Sequence, residues 1–360
     1  MKHQTHFLHT PPGSKPLYKE EALFRNSIEK KLTSFFEKWN YFPVETPMID
    51  YFDIYSHFLS EKQKKGSVRF INRDGDLVLL RNDITLFAAK SLASRGNNVE
   101  ETLKYYYSDQ IVRCQAKDSP EEYFQIGCEI VSTKFTYEEI EILVLLLESA
   151  DELKLSDYLV HIGDISLYNE LFKDFSLNTV TELLSCIRVR NIQGLKDRVK
   201  ELNISKQLEK DIILISSFIG SLDEFSALPL SEKAQIAVAP LKKLCLQLNN
   251  LGYGNKIVID PSELSELNYY NGIIFHLYAK GAESPLVSGG RYDTLFTHLG
   301  LERNAVGFSY WLYPLEKLLN AGFDCNSNAI DIEINDNTVT GDIQKAIQSV
   351  KSGKKINLKY

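Results

Sequence analysis

Polar residues at regular spacing on two β-rich runs are the first candidates for chemistry. Gln125 and Glu129 stand four apart within Glu121 to Ser132, so on a strand they face the same way. Arg113 sits near the end of the preceding run, Tyr105 to Cys114, at the same parity. A glutamine and a glutamate on one sheet face, with an arginine across the hairpin, are costly to bury without partners. They read as a polar pocket on an antiparallel sheet or as a solvated sheet face. Asp83 and Thr85 lie where the run Leu77 to Leu80 gives way to a helix over about Thr85 to Ala93. Both residue types cap helix N-termini well, and at a strand end both can also touch a ligand. Tyr269 and Tyr270, within Leu267 to Phe275, precede the glycine pair of Leu286-Val287-Ser288-Gly289-Gly290-Arg291-Tyr292-Asp293. Paired tyrosines against a glycine-lined strand give flat apolar walls with hydroxyls that orient a polar ligand. The alternative is a core hairpin with a Gly-Gly turn.

These residues need a frame. Apolar positions Leu23, Phe24, Ile28, Leu32, Phe35 and Phe36 repeat at helical spacing over Leu17 to Trp39, and Asn40 ends that helix. The proline-bearing stretch Tyr41 to Ile49 is extended. Arg69–Asn72 and Leu77–Leu80 flank Arg73-Asp74-Gly75-Asp76 as a hairpin. A helix over Tyr137 to Leu153 and strands at Tyr158–Ile162 and Lys256–Asp260 complete the frame. From 164 to 250 the chain is leucine-rich and helical in period, punctuated by Gly194, Gly220, Pro229 and Pro240. The reading is an α+β fold. A core domain comprises 1–163 and 251–321, an all-helical insertion 164–250, and a short βαβ-like fragment 322–360 (strand Ala329 to Ile334, helix near Asp342 to Val350, strand Lys355 to Leu358). A fragment that short cannot bury a core alone, so it must dock on something or be mobile. Residues 1–16 read as an extended arm.

Composition narrows the function. The 360 residues carry a formal net charge of −7, with 44% hydrophobic and 25% charged residues. That balance argues against a general polyanion-binding surface. Cys114, Cys128, Cys186, Cys245 and Cys325 are far apart and odd in number, so reduced structural thiols are expected and no metal site. His3, His6 and His9 fall in a proline-ended tail and read as solvated. No apolar N-terminal leader and no membrane-length apolar span occurs, so a cytoplasmic protein with no membrane contact is expected.

Several ordered segments together resemble the class II aminoacyl-tRNA synthetase core in its histidyl branch, over about Pro11 to Leu319. Phe42-Pro43-Val44-Glu45-Thr46-Pro47, with the helix before it, resembles motif 1, the dimer element. Arg113 through Gln125-Ile126-Gly127-Cys128-Glu129 resembles motif 2, and Asn304-Ala305-Val306-Gly307-Phe308-Ser309 resembles motif 3. Leu80–Thr85, Leu267–Gly272 and Ser288–Asp293 resemble segments typical of the histidyl branch. The resemblance implies an antiparallel sheet flanked by helices. It also implies that Asp83, Thr85, Arg113, Gln125, Glu129, Tyr269 and Tyr270 surround histidine. The acids would hold the ammonium group, Glu129 and the tyrosine hydroxyls would read the imidazole, and Arg113 would meet the carboxylate.

The departures are as informative. Ser265 stands where histidyl synthetases open their Arg-Gly-Leu-Asp-Tyr-Tyr segment with arginine. The motif 2-like loop, Gln115 to Glu122, is short and acidic. The motif 3 arginine falls on Pro314, or on Lys317 with a three-residue insertion. Positioned arginines stabilise the charge that develops during adenylation, and losing one costs on the order of several kcal/mol in the transition state. A histidine pocket without these parts resembles the regulatory subunits of ATP phosphoribosyltransferase, paralogues of the synthetases that tend to carry Asp rather than Glu at Asp83. That resemblance implies a non-catalytic chain that needs no cofactor and handles no tRNA. It implies a hetero-octamer with the short-form catalytic subunit, a motif 1-like self-dimer and feedback by histidine. The alternatives are an active histidyl-tRNA synthetase and a free-standing synthetase paralogue.

Overall fold

The structure is a computed structural model that describes residues 10, 13–96, 100–114, 120–134, 137–265, 269–319, 330–333 and 339–359. His3, His6, His9, Cys325, Leu267, Asn268 and most of the acidic motif 2-like loop lie outside the described residues. Helix α1 (Lys19–Lys38) buries Phe24, Ile28, Leu32, Phe35 and Phe36 along one stripe. It stops at Asn40, whose φ of 63° lies in the left-handed region that ends helices. Strands β1 (Phe42–Pro43) and β2 (Ile49–Tyr51) follow, then short helices α2 (Phe52–Ser56) and α3 (Glu61–Gly66). The expected hairpin is β3 (Arg69–Ile71) with β4 (Leu77–Leu80), and β2 joins it in a three-stranded sheet of order β2-β4-β3. Helix α4 (Ile84–Ala93) leads to two long strands, β5 (Thr102–Cys114) and β6 (Pro120–Ser132), then α5 (Glu138–Glu152) and β7 (Tyr158–Asp164).

The following stretch is helical throughout: α6 (Ile165–Leu171), α7 (Leu177–Arg188), α8 (Ile192–Glu201), α9 (Lys206–Ser216), α10 (Leu222–Ser226) and α11 (Glu232–Asn250). Ser176, Asn191, Ser205, Ser221 and Ser231 each accept a backbone N–H at a helix start. Such caps contribute about 1 kcal/mol apiece and mark where each helix begins. Two expected breaks are not breaks. Gly194 lies inside α8, and Pro240 lies inside α11. Pro240 is on the exposed side, where water can take the carbonyl it leaves unpaired. The buried stripe of Val238, Leu241, Leu244 and Leu248 therefore runs past it.

The chain returns through β8 (Ile257–Ile259), β9 (Ile273–Ala279), β10 (Val287–Arg291), α12 (Asp293–His298), β11 (Asn304–Trp311) and α13 (Leu312–Leu319). The main sheet has the order β1-β5-β6-β11-β10-β9-β7-β8. It is antiparallel through its centre, but its edge pairs, β1 with β5 and β7 with β8, are parallel. Gly289 and Gly290 lie within β10 rather than at a turn. A Cβ on Gly290 would come within 2.5 Å of the Ile273 carbonyl and 2.8 Å of the Tyr270 ring, so close approach is what requires glycine there. At the C-terminus β12 (Ile330–Glu333) and β13 (Ile356–Lys359) pair in parallel across α14 (Val339–Lys351), the expected βαβ-like piece.

Strand alternation divides the sheet. Ile126, Cys128 and Ile130 point into a large apolar cluster with α1, α5 and the helical stretch. Tyr105 and Tyr107 point to the other face, into a smaller cluster with α4 and α12. The polar residues of interest lie on that second face.

Candidate functional site

All seven residues expected from the sequence line one cavity of about 710 Å³. Strand β6 supplies Gln125 and Glu129, and β5 supplies Arg113. The start of α4 supplies Asp83 and Thr85, and the segment before β9 supplies Tyr269 and Tyr270. The floor is β10 and β11, through Ser288, Gly289, Gly307 and Ser309.

Glu129 is the centre of the site. Only 1% of it is exposed. Its carboxylate accepts from Tyr292 Oη at 2.6 Å, Thr85 Oγ1 at 2.8 Å and Tyr107 Oη at 3.3 Å. Burial pushes its pKa up to about 8, against the pull of those hydroxyls, and Asp83 adds to the rise. Register makes the room. Gly307 pairs with Glu129 across β11 and β6, and a Cβ on Gly307 would fall 1.4 Å from Glu129 Oε2.

Asp83 takes both roles open to it in the sequence. It caps α4, accepting from Leu86 N at 3.1 Å, and its other oxygen accepts from Tyr269 Oη at 3.2 Å inside the cavity. Burial raises its pKa, and the Arg113 guanidinium, 3.6 Å away, opposes that. Thr85 does not cap; its hydroxyl is spent on Glu129. Arg113 donates from Nε to the Asn82 carbonyl at 2.7 Å and lies 5.3 Å over the Trp311 ring. Gln125 donates to Ser309 Oγ at 3.3 Å. Tyr269 and Tyr270 lie 4.9 Å apart by ring centroid and form a wall.

Two carboxylates held in low dielectric, with one arginine beside them, are suited to a ligand bearing a cation and N–H donors. No arginine marks the position of Ser265, which lines the cavity. Pro314 and Lys317 lie on α13 outside the lining, and Lys317 is ion-paired with Glu283 at 2.9 Å. Neither therefore brings a cation to the cavity.

Tyr107 and Tyr292, which hold Glu129, were not among the expected residues. Tyr107 shares parity with Arg113 on β5, so strand alternation alone would have found it. Tyr292 directly follows β10, and only the path into α12 brings its ring beneath Glu129. Arg81 braces the site from behind. Buried to 1% exposure, it donates to the carbonyls of Gln110 and Thr46 and ion-pairs with Asp109. It thus ties the motif 1-like segment, the end of β4 and β5 together. Arg81→Met leaves those acceptors orphaned and is expected to destabilise the fold by about 3–5 kcal/mol in urea denaturation.

A family model described as Histidyl-tRNA synthetase matches residues 13–315. The chain belongs to the histidyl-tRNA synthetase family. Within it, a Ruminiclostridium cellulolyticum protein named ATP phosphoribosyltransferase regulatory subunit is 26% identical over 309 residues, 84% of this chain and 74% of that relative. A protein of the same name from Alkaliphilus metalliredigens is 27% identical over 322 residues, 87% of this chain and 81% of that one. A crystal structure described as an ATP phosphoribosyltransferase regulatory subunit/histidyl-tRNA synthetase from Bacillus halodurans superposes with TM-score 0.85 at 23% identity, over 98% of this chain and 92% of that one. Histidyl-tRNA synthetase from Nostoc sp. PCC 7120 superposes with TM-score 0.79 at 20% identity, over 98% and 86%. The resemblance read from the sequence is borne out, and the fold is the class II synthetase-like sheet flanked by helices.

Proposed function

We propose that this member of the histidyl-tRNA synthetase family is a non-catalytic, histidine-sensing regulatory subunit. It works with a short-form ATP phosphoribosyltransferase catalytic subunit, which requires it for activity and through it is inhibited by histidine. The observation that carries this reading is the cavity itself, in which Asp83 and Glu129 are buried with Arg113 beside them while Ser265 brings no cation. The names of its relatives favour the regulatory over the synthetase branch. Asp83 holds the ammonium group. Glu129 accepts an imidazole N–H, Tyr269 and Tyr270 flank the ring, Thr85 and Gln125 orient the polar groups, and Arg113 meets the carboxylate.

The assembly is a hetero-octamer in the cytoplasm, with self-association through the motif 1-like element. Phe42 in that element and Ile49 and Tyr51 on the neighbouring β2, each about half exposed or more, form an apolar face. Residues 1–163 and 251–321 act as the core, 164–250 as a helical insertion and 322–360 as a short βαβ-like fragment. Among the described residues no helix is long and apolar enough to cross a membrane. The chain binds no tRNA and uses no cofactor.

Calorimetric titration tests the reading. Histidine should bind and ATP should not; adenylate formation from histidine and ATP would overturn it. A proton count sharpens the test. Glu129, with its pKa near 8, is largely protonated at pH 7 in the empty cavity, and accepting the imidazole N–H ionises it. Binding at pH 7 is therefore expected to release close to one proton per site, read by repeating the titration in buffers of different ionisation enthalpy. A count near zero means the proton stays in the complex, on Glu129 or on the imidazole; only a zero count together with unchanged histidine affinity in Glu129→Gln would remove the ligand from Glu129.

A further inference from the structure

The cavity wall continues past the seven residues to His276 on β9. His276 Nδ1 is buried and lies 2.7 Å from Glu263 Oε2, at ion-pair distance but off the line of a hydrogen bond. Glu263 also accepts from Tyr278 Oη at 3.2 Å and from Arg190 Nη2 at 2.8 Å. The same guanidinium donates to both oxygens of Asp260, at 3.3 and 2.9 Å. Asp260 is fully buried and is further held by Ser262 and by His161 Nδ1 at 3.1 Å. Among the described residues, His161, Asp260 and Glu263 are spaced as a metal ion would need. Arg190 already donates to both carboxylates, so the cluster is not a vacant cation site.

The origin of Arg190 is what matters. It lies in the turn between α7 and α8, on the helical stretch rather than on the sheet. Its φ is 53°, left-handed, where a helix C-terminus normally takes glycine. Its own N–H bonds Ile187 O, and Asn191 N bonds Cys186 O, so the turn is the two-bond helix stop that requires that conformation. Lys154 makes the same stop after α5, so the conformation sets where the Arg190 side chain starts, and its contacts give its role. Here the guanidinium reaches out of the helical stretch to Asp260 and Glu263. Those residues open the segment that goes on to Ser265, Tyr269 and Tyr270 in the cavity wall. One route thus runs from the cavity to the guanidinium, through the side chains of His276 and Glu263.

We propose that Arg190 is a positioning residue that couples occupancy of the cavity to the order of α7 and α8. A ligand that fixes His276 also fixes Glu263, and through Arg190 Asp260. That holds the Arg190 clamp, already formed here, in place and steadies the helical pair that carries it. Because coupling is reciprocal, the clamp in turn strengthens ligand binding. The proposal rests on histidine being the ligand.

The test is hydrogen–deuterium exchange on the full chain with and without histidine, read over residues 177–201, with calorimetry alongside. In the wild type, saturating histidine is expected to slow exchange in α7 and α8 at least threefold. In Arg190→Gln, and independently in Glu263→Gln, histidine should still bind, about 5–10-fold more weakly, and the slowing should vanish. A clamp that served stability alone would raise basal exchange in the variants without removing a histidine-dependent change. Histidine bound to the wild type with unchanged exchange in α7 and α8 overturns the coupling and leaves the pocket standing. Slowing that persists in either variant also overturns it. Failure of histidine to bind the wild type sinks the pocket assignment, and the coupling with it. The wild-type comparison decides the matter even if a variant folds poorly.

Discussion

Gly307→Ala is expected to abolish histidine binding, by about 100-fold or more, although residue 307 offers no side chain to a ligand. The added methyl would sit 1.4 Å from Glu129 Oε2 and 2.5 Å from the Cys128 carbonyl. Glu129 is held by three hydroxyls, so it cannot yield without breaking them. The strands themselves must part, and overpacking of that kind costs about 1–3 kcal/mol in stability. Calorimetry reads the affinity and urea denaturation the stability. The same substitution in a Glu129→Ala background should cost less, because half of the clash is gone, and that non-additivity shows that the two residues act on each other. Binding within threefold of wild type would refute the placement of Glu129.

Glu129→Gln should move binding and stability in opposite directions. Its folded pKa of about 8 lies above the ordinary value near 4.5. The folded state therefore favours the protonated carboxyl. That contribution to stability is fully present below about pH 4.5 and is lost as pH rises through about 8. Glutamine has nothing to ionise. The variant should match the wild type near pH 4 and exceed it at pH 8 and above, by on the order of 3–5 kcal/mol at most. Histidine affinity should fall about 100-fold at pH 8, since the amide cannot take the negative charge that the ligand's N–H groups seek. Denaturant midpoints at pH 4.5, 6.5 and 8.5 give the first trend and calorimetry the second. A variant less stable than wild type at pH 8.5 would contradict the burial of an ionisable carboxyl.

Much of this site was legible because alternation along β5 and β6 is a local property. Arg113, Gln125 and Glu129 share a face whatever the rest of the chain does. Asp83 was legible because a strand-to-helix junction needs a cap. What escaped depended on distant pairings. The hydroxyl of Tyr292 reaches Glu129 only because β10, β11 and β6 stack in one register, and His276 enters the wall only through β9. The glycine pair could be read as a turn or as a close approach on a glycine-lined strand, and the sheet uses it for close approach to Tyr270. Pro240 looked like a break because propensity is local, while the burial of Val238, Leu241 and Leu244 on either side of it is not.

Core and cavity are written on the same strands in alternate letters. On β6, Ile126, Cys128 and Ile130 belong to the oily side, while Gln125 and Glu129 belong to the ligand side. Deleting one residue within that strand would exchange the two sets, sending the carboxylate into the hydrocarbon layer and the thiol into the pocket. Length changes within the central strands are therefore lethal to structure and recognition together, whereas the loops that join them can lengthen or shorten without disturbing either. The fold thereby permits variation at its rims and forbids insertions and deletions across its middle.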